Sequence, residues 1–431
     1  MPAIISKTES KTDSPQSSNS QANFAQTRFS QPDKALDSFA PRILAWFADN
    51  GRHDLPWQQH KTDNPNPYIV WLSEVMLQQT QVTTVIPYFQ RFISSFPTVQ
   101  DLASADWDMV AEHWAGLGYY ARARNLHKGA KQLVEIINET GEFPQTVVDW
   151  EGISGVGRST AGAIVAMGLH GYGVICDGNV KRVLTRWAGI NGDITKSATN
   201  KQLWALAERL TPNLQSGEFA QAMMDMGATL CTRTKPACLL CPLQNDCIAH
   251  QQGCETAYPV KAKKQPKPSK YSDVLLLTNP QGQVLWLQRP ESGIWGGLWS
   301  LPLQFVQKTQ GKKVLATSKE DKAYEAEFTL AEQIINAYLD KYLDKHLNKN
   351  LNKNISDTNT NKQSADKDSI KHTLTHFHWY LSPVLLILDN SQADELCKQL
   401  TKADIQFIWC DDSHAKSLGL PKAMLKVLAT L

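Results

Sequence analysis

The sequence predicts a multidomain protein, all-α over its first half and α/β over its last third. Three observations carry that reading. From about residue 36 to 230 apolar residues recur at three- and four-residue spacing, as in Leu36, Phe39, Ile43, Leu44 and Phe47. Pro259 to Lys270 holds five lysines and three prolines, the composition of an extended linker. Beyond it, Val274-Leu275-Leu276-Leu277, Gln283 to Gln288 and Trp379 to Leu388 read as strands separated by Gly-, Pro- and Asn-containing turns.

In chain order, residues 1–35 are rich in Ser, Gln, Thr and Asn and poor in large apolar groups, which predicts a disordered tail. A transit peptide is the rival reading, and Glu9, Asp13 and a lone arginine, Arg28, argue against it. The helical domain is expected over 36–258, with further helices at 68–80, 120–138, 158–169, 179–188 and 200–210. The linker is expected at 259–270 and the second domain at 271–431. Within the latter, 338–370 contains the repetitive run Leu347-Asn348-Lys349-Asn350-Leu351-Asn352-Lys353-Asn354, which predicts a solvated insertion, helical at its start and disordered after.

With 431 residues, 42% of them hydrophobic, and 13 Trp, the chain can bury more than one core. Its net charge of only +2 excludes a generic polycation, so a nucleic-acid surface must come from local arrangement. No apolar run is long enough to span a bilayer and no apolar signal core opens the chain, so a cytoplasmic protein with no membrane contact is expected.

Four of the eight cysteines, Cys231, Cys238, Cys241 and Cys247, follow the spacing Cys-x6-Cys-x2-Cys-x5-Cys, while Cys176, Cys254, Cys397 and Cys410 are scattered. Four thiolates in one short loop can converge on a single centre, and soft sulfur ligands select zinc or an iron–sulfur cluster. Arg233 and Lys235 add cations to that loop. Upstream, Gly152-Ile153-Ser154-Gly155-Val156-Gly157-Arg158-Ser159-Thr160-Ala161-Gly162 leads into an apolar helix. Glycines on either side of Val156 permit a tight turn with outward amides, and the helix start adds free N–H groups, which together suit a phosphate.

Two acids stand out. Glu74 has Val70, Trp71, Leu77 and Gln78 as its helical neighbours three and four residues away, and a carboxyl among apolar groups keeps its proton. Asp177 immediately precedes a predicted helix. There its ionised form is favoured, whether it acts as an N-cap, serves a chemical role, or does both. The expectation is therefore opposite environments for the two.

These segments, with Trp71-Leu72-Ser73-Glu74-Val75-Met76-Leu77-Gln78-Gln79-Thr80-Gln81 and Gly116-Leu117-Gly118-Tyr119-Tyr120-Ala121-Arg122-Ala123-Arg124-Asn125-Leu126, closely resemble the adenine DNA glycosylase (MutY) family over roughly 36–300. The resemblance implies an all-α helix-hairpin-helix glycosylase core with a [4Fe-4S] loop, followed by an α/β Nudix-like domain. The four-cysteine loop is similar to that of the endonuclease III superfamily, which puts iron–sulfur ahead of zinc. In such an enzyme Glu74 is the general acid at adenine, Asp177 stabilises or captures the sugar cation and Asn179 orients the site. Glycosidic cleavage needs both, because an adenine anion leaves poorly and a cation-like sugar needs a fixed anion.

By the same resemblance Gln78 and Tyr119 enter the duplex when adenine is flipped out, and Gly155, Val156, Gly157 and Arg158 hold the DNA backbone. The family hairpin more often has proline where Ser154 stands. Arg122, Arg124 and Lys128 lie along one helix and are expected to include phosphate contacts. Ser159 occupies the place of the Schiff-base lysine of endonuclease III-like enzymes, and serine cannot form an imine. A monofunctional glycosylase is implied, acting as a monomer on double-stranded DNA with adenine opposite 8-oxoguanine or guanine.

In the last third, Gln288-Arg289-Pro290-Glu291-Ser292-Gly293-Ile294-Trp295-Gly296-Gly297-Leu298 resembles the start of a Nudix fold. No helix with clustered Arg and Glu metal ligands follows between 303 and 340, which disfavours pyrophosphatase activity. Leu374-Thr375-His376 stands where the family shows Phe-Ser-His, so Thr375 and His376 keep polar groups for 8-oxoguanine while the aromatic contact passes to Phe377. Three rival functions remain at this point. They are an endonuclease III-like glycosylase/lyase, opposed by Ser159; a non-catalytic lesion-binding protein, opposed by retention of Glu74 and Asp177; and a Nudix hydrolase with a DNA-binding extension.

Overall fold

The computed structural model describes residues 34–58, 66–262, 266–291, 293–309, 312–315, 329–346 and 369–429. The expected tail lies outside these residues up to position 33, as do positions 347–368 of the expected insertion. Chain contacts divide the protein into two compact units, Met1–Val75 with Ile136–Lys263 and Met76–Glu135 with Lys264–Leu431. One boundary, between Lys263 and Lys264, falls within the expected linker, but Met76–Glu135 groups with the C-terminal domain, whose loops at Gly297 and Leu420 it contacts.

The first unit is helical. Lys34–Asn50 buries Leu36, Phe39, Ile43 and Phe47, one stripe of a 3.6-residue period. Phe39 meets Trp187 and Phe219 edge-on at 4.7 and 6.3 Å, joining this helix to Gly178–Ala188 and Ser216–Asp225. Each fully buried aromatic or aliphatic side chain contributes roughly 1.5–3 kcal/mol. Gly178–Ala188 opens on Asp177 and ends on Gly189 in the left-handed region (φ 64°), whose N–H bonds the Thr185 carbonyl. The helix expected at 158–169 is regular over Arg158–Ala163 and widens into a π turn over Ile164–Gly168.

In the second unit Val82–Ser95, Val99–Ser104 and Trp107–Trp114 precede the long Ala121–Thr140 helix, which runs on into the first unit. Among the described residues the sheet has eight strands: β1 (Ser269–Thr278), β2 (Val284–Gln288), β3 (Trp299–Ser300), β4 (Leu303–Thr309), β5 (Lys312–Leu315), β6 (Ile370–Thr373), β7 (His378–Ile387) and β8 (Phe407–Cys410). β1 is central, parallel to β7 from Ser269↔His378 to Thr278↔Ile387 and antiparallel to β4 and β2. Both its faces are covered. Val274 and Leu276 join Trp286, Trp379 and Met424, whereas Leu275 and Leu277 join Ile335, Tyr338 and Leu396. That double burial explains its unbroken apolar run.

The linker ends in structure rather than in coil, since β1 begins at Ser269 and the Pro268 carbonyl accepts from the His378 N–H at 2.9 Å. Helix Leu330–His346 occupies the start of the expected insertion. Trp107 Nε1 donates to the Gly297 carbonyl at 3.1 Å and Tyr120 Oη to the Leu420 carbonyl at 3.1 Å, which ties the 107–120 region to the sheet domain.

Candidate active site and cysteine loop

Two glycines of the hairpin helix set the positions of the two acid-bearing segments. A Cβ on Gly168 would fall 2.7 Å from Pro67 Cα, so the N-terminus of the Glu74 helix (Pro67–Leu77) rests directly on that backbone. A Cβ on Gly162 would fall 2.0 Å from the Val174 carbonyl oxygen, so the strand-like segment leading into Asp177 packs there. Ser159, on the same helix, accepts the Cys176 N–H at 2.9 Å and pins the residue next to Asp177. The Asp177 carboxylate caps its own helix, accepting from the Val180 N–H at 2.8 Å.

Electrostatics brings the acids together. Burial pushes Glu74 from an ordinary value of 4.5 up to about 8, and the nearby Asp177 charge pushes the same way. Glu74 keeps a partly accessible edge while protein atoms surround the rest of its carboxyl. Asp177 departs from expectation. Its carboxyl is also raised, because burial outweighs the Val180 and Asn179 amides and the Arg182 and Lys181 charges that oppose it. The two environments differ in kind nonetheless, since only Asp177 has donors and cations that favour its anion.

Asn179 is held on two sides. Its Oδ1 accepts from Arg182 Nη2 at 2.8 Å, and a Cβ on Gly227 would fall 2.6 Å from its own Cβ. Arg182 also donates through Nε to the Cys231 carbonyl at 2.9 Å, one helical turn below Asp177. A further turn on, the buried Arg186 donates to Cys231 Sγ at 3.2 Å and to the Thr232, Arg233 and Glu255 carbonyls at 2.7, 2.9 and 2.8 Å. Sequence reading passed over both arginines, though their i, i+4 spacing below Asp177 marks one helix face.

All four loop cysteines are free thiols. Burial is the first cause raising Cys238 and Cys241, and Cys231 and Cys247 add to it in both, so the sulfurs lie within electrostatic reach of one another. Among the described residues the three donor atoms within 4.8 Å of each other are those of Cys238, His250 and Glu255. Four thiol donors drawn from one short loop form a soft donor set of the kind that holds zinc or an iron–sulfur cluster.

In the hairpin, Gly155 takes φ 79° and Gly157 caps the Arg158–Ala163 helix, both exposed, while Val156 is buried as the anchor between them. Arg158 is ion-paired with Glu208 and lies 4.0 Å over the Trp204 ring.

The remaining predicted residues belong to the second unit. Tyr119 is 53% exposed at the tip of the Gly116–Gly118 turn, with φ 53°. Gln78 is half-buried, whereas Gln79 is exposed and left-handed (φ 59°), so the projecting glutamine is Gln79. Of the expected phosphate-binding face only Lys128 is exposed. Arg122 is buried, and Arg124 lies 5.8 Å over Trp107, close enough to Glu291 to be influenced by its charge. Thr375 and His376 are exposed at the turn joining β6 to β7. Phe377 points away into the core, 5% exposed beneath Lys270 Nζ, which removes it as a candidate base contact. Lys267 Nζ donates to the Leu374 carbonyl at 2.7 Å and so braces the turn.

Residues 72–209 match the HhH-GPD superfamily of base excision DNA repair proteins, and residues 273–430 match the NUDIX domain. The class is therefore a base-excision DNA glycosylase with a C-terminal NUDIX domain. The chain is 34% identical over 391 residues to the adenine DNA glycosylase of Buchnera aphidicola subsp. Acyrthosiphon pisum, covering 90% of this chain and 96% of that protein. It is 38% identical over 314 residues to the adenine DNA glycosylase of Rattus norvegicus, covering 62% of this chain and 60% of that one. The chain belongs to the adenine DNA glycosylase family, N-glycosylases of base excision repair that act on DNA. No helix among the described residues is long and apolar enough to cross a membrane.

Proposed function

We propose that the protein releases adenine paired with 8-oxoguanine or guanine in duplex DNA, by hydrolysis and without cutting the strand. The observation that carries this reading is the pairing of Glu74, pushed up to about 8, with a helix-capping Asp177 close enough to influence it. Glu74 holds its proton at neutral pH and delivers it to the adenine ring, so the base leaves neutral. Asp177, oriented by the Val180 amide, faces the cation-like sugar as it forms. Asn179, fixed by Arg182, lines the same site.

Ser159 has its hydroxyl committed to the Cys176 amide and carries no amine, which supports a monofunctional enzyme. Cys231, Cys238, Cys241 and Cys247 would hold a [4Fe-4S] cluster, which would supply a rigid anchor for the Asp177 helix through the bonds of Arg182 and Arg186 to Cys231. The exposed amides of Gly155 and Gly157 would meet phosphate, which reads backbone and not bases. Thr375 and His376 would meet the base opposite adenine.

The test is single-turnover base release from duplexes carrying adenine opposite 8-oxoguanine, guanine or thymine, with borohydride added in parallel. Fast release opposite the first two, little opposite thymine and no covalent trapping are expected. Efficient trapping would move the protein to the glycosylase/lyase class, and release independent of the partner base would remove the mispair reading. Iron and sulfide analysis of the purified protein separates a cluster from zinc.

A further inference from the structure

We infer that Arg122 is the positioning residue that assembles Gln79 and Tyr119 into one two-pronged wedge before DNA arrives. The inference rests on the reading of the protein as an adenine-flipping glycosylase and goes beyond it in assigning how the wedge is built.

The two exposed side chains sit on separate turns, each held in a left-handed backbone that non-glycine residues rarely adopt, with φ 59° at Gln79 and φ 53° at Tyr119. Such a conformation is strained and persists only where surrounding contacts enforce it. Arg122 supplies those contacts to both turns. Its Nη1 donates to the Met76 carbonyl at 2.8 Å, and its Nη2 donates to Thr80 Oγ1 at 3.2 Å and to the Gly118 carbonyl at 3.1 Å. Met76 and Thr80 bracket Gln79, and Gly118 directly precedes Tyr119.

The guanidinium lies 5.4 Å from the Trp114 ring centroid and 5.6 Å from that of Tyr119, so the wedge tyrosine sits against the same cation. Trp114 Nε1 completes the arrangement by donating to the Gly118 carbonyl at 3.1 Å. Arg122 itself is 8% exposed, which turns it away from phosphate. A planar fork reaches three acceptors in fixed directions, and a lysine ammonium cannot reproduce that geometry. A wedge formed in advance spends no ordering free energy at the moment a base pair must be unstacked.

The experiment compares the full-length parent with Arg122→Lys, Thr80→Val, Tyr119→Ala and the Arg122→Lys/Tyr119→Ala double variant. 2-Aminopurine opposite guanine reports eversion of the target base by its fluorescence. Affinity for a duplex with a tetrahydrofuran abasic analogue reports binding where no base is to be extruded. Arg122→Lys is expected to slow eversion about tenfold while abasic affinity changes less than about threefold. Tyr119→Ala should add little once Arg122 is replaced, because the two act as one unit.

Thr80→Val removes one of the three bonds and should slow eversion about threefold. It carries the test if Arg122→Lys does not fold. Parental eversion in the folded variants overturns the inference, as does equal loss on both duplexes or additive loss in the double variant. A parent protein that everts no base and releases no adenine sinks the functional reading instead.

Discussion

Each unit of the molecule withdraws a glutamate carboxyl from water, and the two are treated in opposite ways. In the sheet domain Glu332, 1% exposed, has both oxygens engaged. Oε1 accepts from Arg289 Nη1 at 2.9 Å, and Oε2 accepts from the Thr329 N–H at 2.9 Å and its hydroxyl at 3.0 Å. In the helical unit Glu74 is surrounded by protein beside a second acid, and both influences on it favour the protonated form. A buried charge is tolerable when paired and bonded; without those partners it keeps a proton. Burial of an acid thus serves architecture in one unit and, in the proposed mechanism, reactivity in the other.

The largest expected effect breaks the comparison on the reactive side. Glu74→Gln should slow single-turnover adenine release about a hundred- to ten-thousand-fold, the range for loss of a general acid. Asp177→Asn should fall in the same range while the protein's melting curve stays near that of the parent. Parental rates in either variant would mean that burial of that acid is incidental.

Next comes the architectural side. Glu332→Ala leaves Arg289 buried without its anion and should cost about 3–5 kcal/mol of stability in denaturant titration. The rate of base release per folded molecule should not change below the melting transition. A neutral Glu332→Ala would show that Arg289 finds other acceptors, since it already donates to the Ile294 carbonyl at 2.9 Å and approaches Ser300 Oγ at 3.5 Å.

Glu74 also predicts a pH dependence. Glu74 in the folded protein keeps its proton to about pH 8, whereas in the unfolded chain it loses it near 4.5. Between those values the unfolded state binds fewer protons, so this group makes the fold less stable as pH rises and adds no further change above about 8. Glu74→Gln should therefore be more stable than the parent, by a margin that widens from pH 5 to 8 at up to about 1.4 kcal/mol per unit. Base release by the parent should fall as pH passes through about 8, because the proposed proton donor is then lost.

What was legible in the sequence follows the same division. Glu74, Asp177, the cysteines and the hairpin stand in contiguous runs, so local spacing located them and the family resemblance gave them roles. The choice between Gln78 and Gln79 was not legible, because it depends on which residue takes the left-handed backbone at the end of the Pro67–Leu77 helix. Arg122 and Arg124 read as a basic face because helical spacing does not reveal that Trp114 and Trp107 lie over them. The rise of Asp177 was hidden because desolvation is set by residues distant in sequence. In the sheet domain β1, β2 and β7 are legible as apolar runs, whereas β3, β4, β5, β6 and β8 are not. β6 and β8 are four residues each and owe their form to pairing with strands far along the chain.

The smallest effect sharpens the comparison where neither glutamate acts. Thr375 and His376 are exposed polar groups on a turn braced by Lys267 below the Leu374 carbonyl and by Lys270 over Phe377. Such a turn presents hydrogen-bonding groups without burying a charge, so its contribution is that of one or two ordinary hydrogen bonds, about 0.5–1.5 kcal/mol each. Thr375→Val should accordingly reduce the preference for adenine opposite 8-oxoguanine over adenine opposite guanine by no more than about tenfold. The absolute rate opposite guanine should hardly change. Lys267→Met should reproduce the loss of preference without touching either exposed side chain, because it frees the turn rather than altering its chemistry. An equal loss of rate opposite both bases would assign the turn to general DNA binding, and discrimination between partners would then have to lie elsewhere in the sheet domain.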